Sequence, residues 1–250
     1  MLPNPAQPIY RFYESLFATL PPDPQAGLGG KLLYAGAIHP QSRNLLYAAN
    51  IAGAASLASS ADPVTLREAM RDGVIDFLVN SLEEALRILK NEIRKRQTVS
   101  VGVAADPHHL AGQMLERGVL PDLLPLGSWP ESETGLDRNS FKEFLSQGAR
   151  QIAVPDSEPG SAQFVTWTVD GKFARWLPRL DACAVSAIPS EDVFRQRWLR
   201  LAPRYLGRLA RRQHGVVLSA EEQARFGAEV EQLIERHKSE SGEELTVTVS

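Results

Sequence analysis

Val74-Ile-Asp-Phe-Leu-Val79, Leu82-Glu-Glu-Ala-Leu-Arg-Ile-Leu-Lys-Asn-Glu-Ile93 and Val99-Ser-Val-Gly-Val-Ala104 follow one another, and together they decide the fold. The first and third are short apolar runs. The second repeats Leu82, Leu86, Leu89 and Ile93 at helical spacing, and Ser81 with Glu84 supplies a capping box at its start. Val99 to Ala104 is almost continuously apolar, as a parallel strand covered on both faces must be. Strand, helix and strand in this order predict a parallel unit with a helical crossover.

The same alternation extends outward from Lys31 to Leu126. The pattern predicts a strand at Lys31 to Ala35, a loop from Gly36 to Arg43, a helix from Asn44 to Ile51 and a strand from Ala54 to Ser59. Asp62-Pro63 starts a helix that runs to Gly73, because the carboxylate caps free amides and proline suits the first helical position. Asp106-Pro107 repeats that signal for a helix ending at Gly118, and Pro121 to Leu126 gives one more strand. A surface loop from Pro125 to Arg138, a helix capped by Ser140 with Glu143, and a last strand at Gln151 to Val154 complete the series. The fold class read from this is α/β, a doubly wound and mostly parallel sheet, with an N-terminal arm over 1–30, the sheet domain over 31–155 and a C-terminal helical appendage over 156–250.

In the arm, six prolines at 3, 5, 8, 21, 22 and 24 surround an amphipathic run from Ile9 to Leu20. Gly27-Leu-Gly-Gly30 precedes a strand, whereas a phosphate loop follows one, so it reads as a turn. Beyond Pro155, Phe164 to Val169 and Lys172 to Trp176 predict a hairpin turning at Asp170-Gly171. Two helices follow within 190–238, separated by Gly215, the first striped with Phe194, Trp198, Leu201, Tyr205 and Leu209, the second capped by Ser219 and Glu222. A stripe of that size needs cover, which predicts a homodimer, and the polar last residues, Ser239 to Ser250, read as frayed unless Leu245 to Val249 adds a strand to a partner's edge.

Over 250 residues the net charge is -3, with 23% charged and 43% hydrophobic residues, so nothing draws the whole chain to nucleic acid or membrane. No stretch has the length and apolarity of a membrane span, and the N-terminus has no basic region ahead of an apolar core, which predicts a cytoplasmic protein. Cys183, the one cysteine, excludes an intrachain disulfide and reads as a buried thiol. His108 and His109 are adjacent, so they point about 100° apart on a helix and cannot chelate together; no metal site is expected. Arg195, Arg197, Arg200, Arg204, Arg208, Arg211 and Arg212 could face nucleic acid, but Glu221, Glu222, Glu229, Glu231 and Glu235 on the next helix offer partners enough, so nucleic acid is not expected.

Several segments together resemble one known family: Gly36 with Asn50-Ile-Ala-Gly-Ala-Ala-Ser-Leu-Ala58, Asp62-Pro63, Leu82-Glu-Glu-Ala-Leu86, Ser100-Val-Gly102 and Glu116-Arg-Gly-Val-Leu-Pro-Asp122. They resemble the central, Rossmann-like domain of urocanases, hydratases that use a tightly bound NAD as an electrophile. The resemblance implies a cofactor site at the carboxyl ends of the strands.

At that site the chain departs from the family. Where urocanases carry a glycine-rich loop, it has Gly36-Ala-Ile-His-Pro-Gln-Ser-Arg43, in which Pro40 lacks an amide donor and Ile38 and His39 add bulk. Where the family has a glutamate two residues before its Asp-Pro, it has Ser60, and only Ser128 follows the Pro-Asp strand in place of a Thr-Asp-Gln segment. The residues left to line a cofactor or ligand are thus Gly36, His39, Arg43, Ser60 and Ser128, with His39 and Arg43 able to meet an anion. No catalytic residue can be assigned. The expectation is a urocanase-like protein without hydratase activity and without resident NAD, binding at most a small anionic ligand or nucleotide. The alternatives are an NAD-dependent urocanate hydratase-like lyase, or a structural or interaction module.

Overall fold

The structure, a computed structural model, describes residues 4–125, 135–152, 162–241 and 246–250. The chain divides into two compact units, one of Ile9–Pro155 and one of Met1–Pro8 with Asp156–Ser250.

In the first unit, strands β1 (Leu32–Ala37), β2 (Ala55–Ser59), β3 (Phe77–Val79), β4 (Val99–Val103), β5 (Leu123–Leu124) and β6 (Arg150–Gln151) form one sheet in the order β3-β4-β2-β1-β5-β6. Every pairing in it is parallel, as the sequence predicts. Parallel neighbours can be joined only by long crossovers, and helices α2 (Pro40–Ala52), α3 (Pro63–Arg71), α4 (Leu82–Arg94), α5 (Pro107–Glu116) and α6 (Arg138–Ser146) supply them. Ahead of the sheet, α1 (Ala6–Thr19) buries Ile9, Tyr10, Tyr13 and Leu16.

β2 and β4 are buried along their whole length because both faces of the sheet are covered. On one face Tyr34, Leu57, Val101 and Val103 join a core with Leu82, Ala85 and Leu89 of α4, Leu110 and Met114 of α5 and Phe144 of α6. Alternate residues point the other way. There the cross-strand partners Ser56 and Ser100 bond through their hydroxyls at 2.8 Å, and Leu66 of α3 and Ile75 close on Gly102. A Cβ on Gly102 would lie 2.5 Å from Ile75 Cδ1, so the strand keeps a glycine where a helix crosses it closely.

The caps read from sequence are in place at α3, α4 and α5, where Asp62 accepts from the amides of Val64 and Thr65, Ser81 from Glu84, and Asp106 from His109. At α6 the expected box of Ser140 and Glu143 is not the start. Asp137 caps the helix instead, accepting from the amides of Asn139 and Ser140, while Ser140 Oγ donates back to it at 2.7 Å. One carboxylate that satisfies two amides outcompetes a hydroxyl that satisfies one.

The second unit is built differently. β7 (Ala162–Val169), β8 (Gln213–Ser219) and β9 (Val247–Val249) form an antiparallel sheet in the order β8-β7-β9, with helices α7 (Leu177–Ala187), α8 (Val193–Leu206) and α9 (Ala220–Ser241). Three expectations fail here. Lys172 to Trp176 is not the second arm of a hairpin but part of a 3-10 turn at Gly171–Trp176, which buries Phe173 and Trp176, so β7 finds its partner in β8. Gly215 does not separate two helices; it lies inside β8, where a Cβ would meet the Val165 carbonyl oxygen at 2.7 Å. The C-terminal strand pairs with β7 of its own chain.

The stripe on α8 is also offset from the expected one. Trp198, Leu199, Ala202 and Leu206 are the buried positions, and Phe194, Leu201, Tyr205 and Leu209 are only half-buried. The helix therefore covers much of its apolar surface within the unit. Arg195 forms a bidentate pair with Glu222 (2.6 and 2.8 Å) and a further bond to Asp192 at 2.7 Å. Ser219 and Glu222 complete the capping box that the sequence predicts, through bonds of 2.8 and 3.3 Å. Cys183 is buried on α7, and burial with the nearby Glu229 pushes its thiol above the usual range. Among the described residues, no helix is long and apolar enough to cross a membrane.

Candidate functional site

In a doubly wound sheet the crevice opens at the carboxyl ends of two neighbouring strands whose connections leave in opposite directions. β1 and β5 meet that condition: α2 carries the chain from β1 to β2 on one side, and α6 carries it from β5 to β6 on the other. Most of the loop after β5, residues 126–134, lies outside the described residues, and Ser128 with it.

The segment after β1 is shorter than the sequence suggests. The expected loop from Gly36 to Arg43 shrinks to Ile38 and His39, because β1 continues to Ala37 and α2 already begins at Pro40. Gly36 has a φ of +71° where the pairing of β1 with β2 shifts register, a conformation that strains any residue bearing a Cβ. The Ile38 amide donates to Ser59 O at 3.0 Å and ties the turn to the end of β2. The His39 amide donates to Ser42 Oγ at 2.8 Å, and that hydroxyl lies 2.7 Å from Ala37 O. Ser42 was not singled out in the sequence, although it stands at the third helical position, where capping side chains reach back.

Arg43 sits inside the first turns of α2, and its guanidinium pairs with Asp72 at 2.5 Å. Tyr47 OH donates to Asp72 O at 2.7 Å and Asn50 Nδ2 to Val74 O at 3.3 Å. Positions 43, 47 and 50 share one helical stripe, and all three fasten α2 to the end of α3. A cation beside the C-terminal residue of a helix also opposes its dipole favourably. Read as a loop residue, Arg43 could not show that stripe.

Ser60 follows β2; its amide donates to Val103 O at 3.2 Å and its Oγ accepts from the Asp62 amide at 3.1 Å. Gly36, His39 and Ser60 thus gather at the ends of neighbouring strands, while Arg43 turns to Asp72. Along this edge three helix starts are held by carboxylates, Asp62 on α3, Asp106 on α5 and Asp137 on α6. Hydrogen bonds from Thr65 Oγ1 and from the amides of Val64 and Thr65 hold Asp62 below the usual carboxylate range. Burial pushes Asp137 up, but the amide and hydroxyl of Ser140, the Asn139 amide and the His108 imidazole together outweigh it and bring it below that range.

Two further contacts close the edge. Tyr34 OH donates to Pro107 O at 2.9 Å, and burial pushes this phenol far above its usual range, with the Ser59 hydroxyl acting against the shift and Asp106 adding to it. Gly135, at a φ of +62°, lies where a Cβ would come within 2.4 Å of Pro107, so the chain returning from β5 lies directly against the start of α5. His108 Nδ1 meets Asp137 Oδ2 there at 2.7 Å. The arrangement supplies carboxylate caps and occupied amides, and among the described residues no three His, Cys, Asp or Glu side chains are grouped to hold a metal.

Residues 25–125 match the model of the urocanase Rossmann-like domain. The match runs from the turn before β1 to the end of β5, so the resemblance read in the sequence covers five strands of the sheet and stops ahead of α6, β6 and the second unit.

Proposed function

We propose that this chain uses a urocanase-like Rossmann domain as a scaffold and does not carry out NAD-dependent hydration of urocanate. The observation that supports this most is the turn from β1 into α2. A dinucleotide pyrophosphate is held by free amides at a helix start and by glycines that let the backbone approach. In this turn Pro40 contributes no N–H, the His39 amide is bonded to Ser42, and Arg43 is engaged with Asp72.

Ser60 adds to the argument from the ribose side. A carboxylate can accept from two ribose hydroxyls, whereas the Ser60 hydroxyl already accepts from the Asp62 amide. Losing one charged hydrogen-bonding partner costs about 1.5 to 3 kcal/mol, so two such losses weaken a cofactor by roughly two to four powers of ten. The carboxylates of Asp62, Asp106 and Asp137 on the same edge also oppose a bound anion of any kind, which narrows the small-ligand expectation.

The test has two parts. Protein purified without added cofactor is denatured and its supernatant examined for NAD by absorbance and mass spectrometry, and the native protein is incubated with urocanate and NAD while the ultraviolet absorbance of the conjugated acid is followed. The expected result is neither NAD in the supernatant nor loss of absorbance. Stoichiometric NAD, or turnover that Arg43→Ala removes, overturns the proposal in favour of a lyase.

A further inference from the structure

The second unit holds a buried polar cluster that the Rossmann domain does not explain. Trp167 on β7 and His214 on β8 are cross-strand partners, so their side chains stand side by side. Both reach one carboxylate on α7: Trp167 Nε1 donates to Asp181 Oδ1 at 3.0 Å, and His214 Nδ1 lies 2.8 Å from each oxygen of Asp181. Trp198 Nε1 holds the next residue of β8 by donating to Gly215 O at 2.7 Å. The side chains of His214 and Asp181 are only 9% and 13% exposed.

A carboxylate on Nδ1 fixes the ring and leaves Nε2 to act outward, as acceptor in the neutral imidazole and donor in the charged one. His214 makes no other side-chain hydrogen bond among the described residues. The ring is nine-tenths buried and oriented from behind, and its second nitrogen, without a protein partner among the described residues, remains able to meet a ligand. No third metal-ligating side chain stands with the pair among the described residues, which argues against a metal.

His214 and Asp181 line a groove of about 610 Å³ together with Pro178, Val185, Leu199 and Arg200, a volume within the range of small-molecule sites. Arg200 is exposed and, unlike Arg195, has neither ion pair nor hydrogen bond among the described residues. The groove thus joins apolar walls, an uncommitted guanidinium and an imidazole oriented from behind.

We propose that this groove binds a small organic acid, its carboxylate on Arg200, its apolar body along Val185 and Leu199, and a second polar group on His214 Nε2. An arginine fork matches a carboxylate in two parallel bonds, and the apolar walls give the body of the acid a surface to lie on. The proposal is independent of the fate of NAD at the other unit.

The experiment titrates the full chain with 4-hydroxybenzoate, with octanoate and with the uncharged 4-hydroxybenzamide, by calorimetry and by nitrogen-15 spectra of the imidazole side chains. 4-Hydroxybenzoate is expected to saturate and to shift the His214 Nε2 resonance, with octanoate, which has no second polar group, and the benzamide, which has no carboxylate, each at least about tenfold weaker. Arg200→Gln, an exposed change that leaves the packing intact, should weaken the acid about 10- to 100-fold. His214→Gln should abolish tight binding, and its circular dichroism shows whether β8 has kept its form. Saturation by neither acid, an unmoved Nε2 resonance, or equal affinity in Arg200→Gln overturns the proposal.

Discussion

The two units satisfy their polar groups over very different distances in the chain. In the Rossmann unit most of the side-chain bonds along the carboxyl edge are local: Asp62, Ser81, Asp106 and Asp137 each cap a helix within three residues. In the second unit the decisive ones are long-range and buried, as in Arg195 with Glu222 and in Asp181 with Trp167 and His214. Local caps are exposed to water and modest in energy. Buried ions lack water to fall back on, so each depends on its partner far more strongly.

Arg195→Ala should have the largest effect. It leaves Glu222 buried and uncompensated, and a loss of about 3 to 5 kcal/mol is expected in denaturant unfolding of the full chain. A loss under about 1 kcal/mol would make this pair no different from a surface bridge and would erase the contrast between the units.

The same pair makes a pH signature. Arg195, with the Ser219 amide adding to it, overcomes desolvation and lowers the Glu222 carboxyl from the usual 4.5 to about 2. A depressed acid contributes stability that is present above its unfolded value and lost as pH falls through its folded value. The second unit should therefore lose stability between about pH 4.5 and 2, and Glu222→Gln should flatten that limb of the unfolding curve. An acid limb unchanged in the variant would assign the dependence elsewhere.

Next in size is Asp181→Asn, which takes the charge from two buried donors, Trp167 Nε1 and His214 Nδ1. About 2 kcal/mol of stability should go with it, read from thermal unfolding and from the near-ultraviolet signal of Trp167. Asp137→Ala removes one local cap and should cost about 1 kcal/mol, and Arg43→Ala, whose pair with Asp72 is partly exposed, about 1 kcal/mol or less. If Asp137→Ala exceeded Asp181→Asn, sequence distance would not be the variable that separates the units, whereas Arg43→Ala, which breaks a long-range but partly exposed pair, shows how much of the difference is burial.

That variable also explains what could be read in advance. Asp62-Pro63, Asp106-Pro107, Ser81 with Glu84 and Ser219 with Glu222 announce helix starts because donor and acceptor lie within a few residues. The start of α6 was read at Ser140, and the structure puts the cap at Asp137, three residues earlier, where one carboxylate meets two amides. Lys172 to Trp176 failed for a related reason. Its apolar residues fit a strand locally, but β7 had a better partner in β8, far along the chain.

At the carboxyl edge, Gly36, His39 and Ser60 were placed by the order of strands and turns, which the sequence shows. Arg43 was not, since its partner Asp72 belongs to the next helix and the helical stripe of Arg43, Tyr47 and Asn50 appears only once α2 is seen to begin at Pro40.

By itself, then, the sequence determined a parallel α/β sheet, the points where most of its helices start, and a likeness to the urocanase Rossmann-like domain over 25–125. These rest on periodicity and capping, which act within one or two turns. The tertiary structure alone decided the insertion of β4 between β2 and β3, the antiparallel sheet of the second unit, and the meeting of Asp181, Trp167 and His214 on one carboxylate. Each of these brings together residues that no local pattern relates, because strand pairing and the burial of charge are settled by what packs against what.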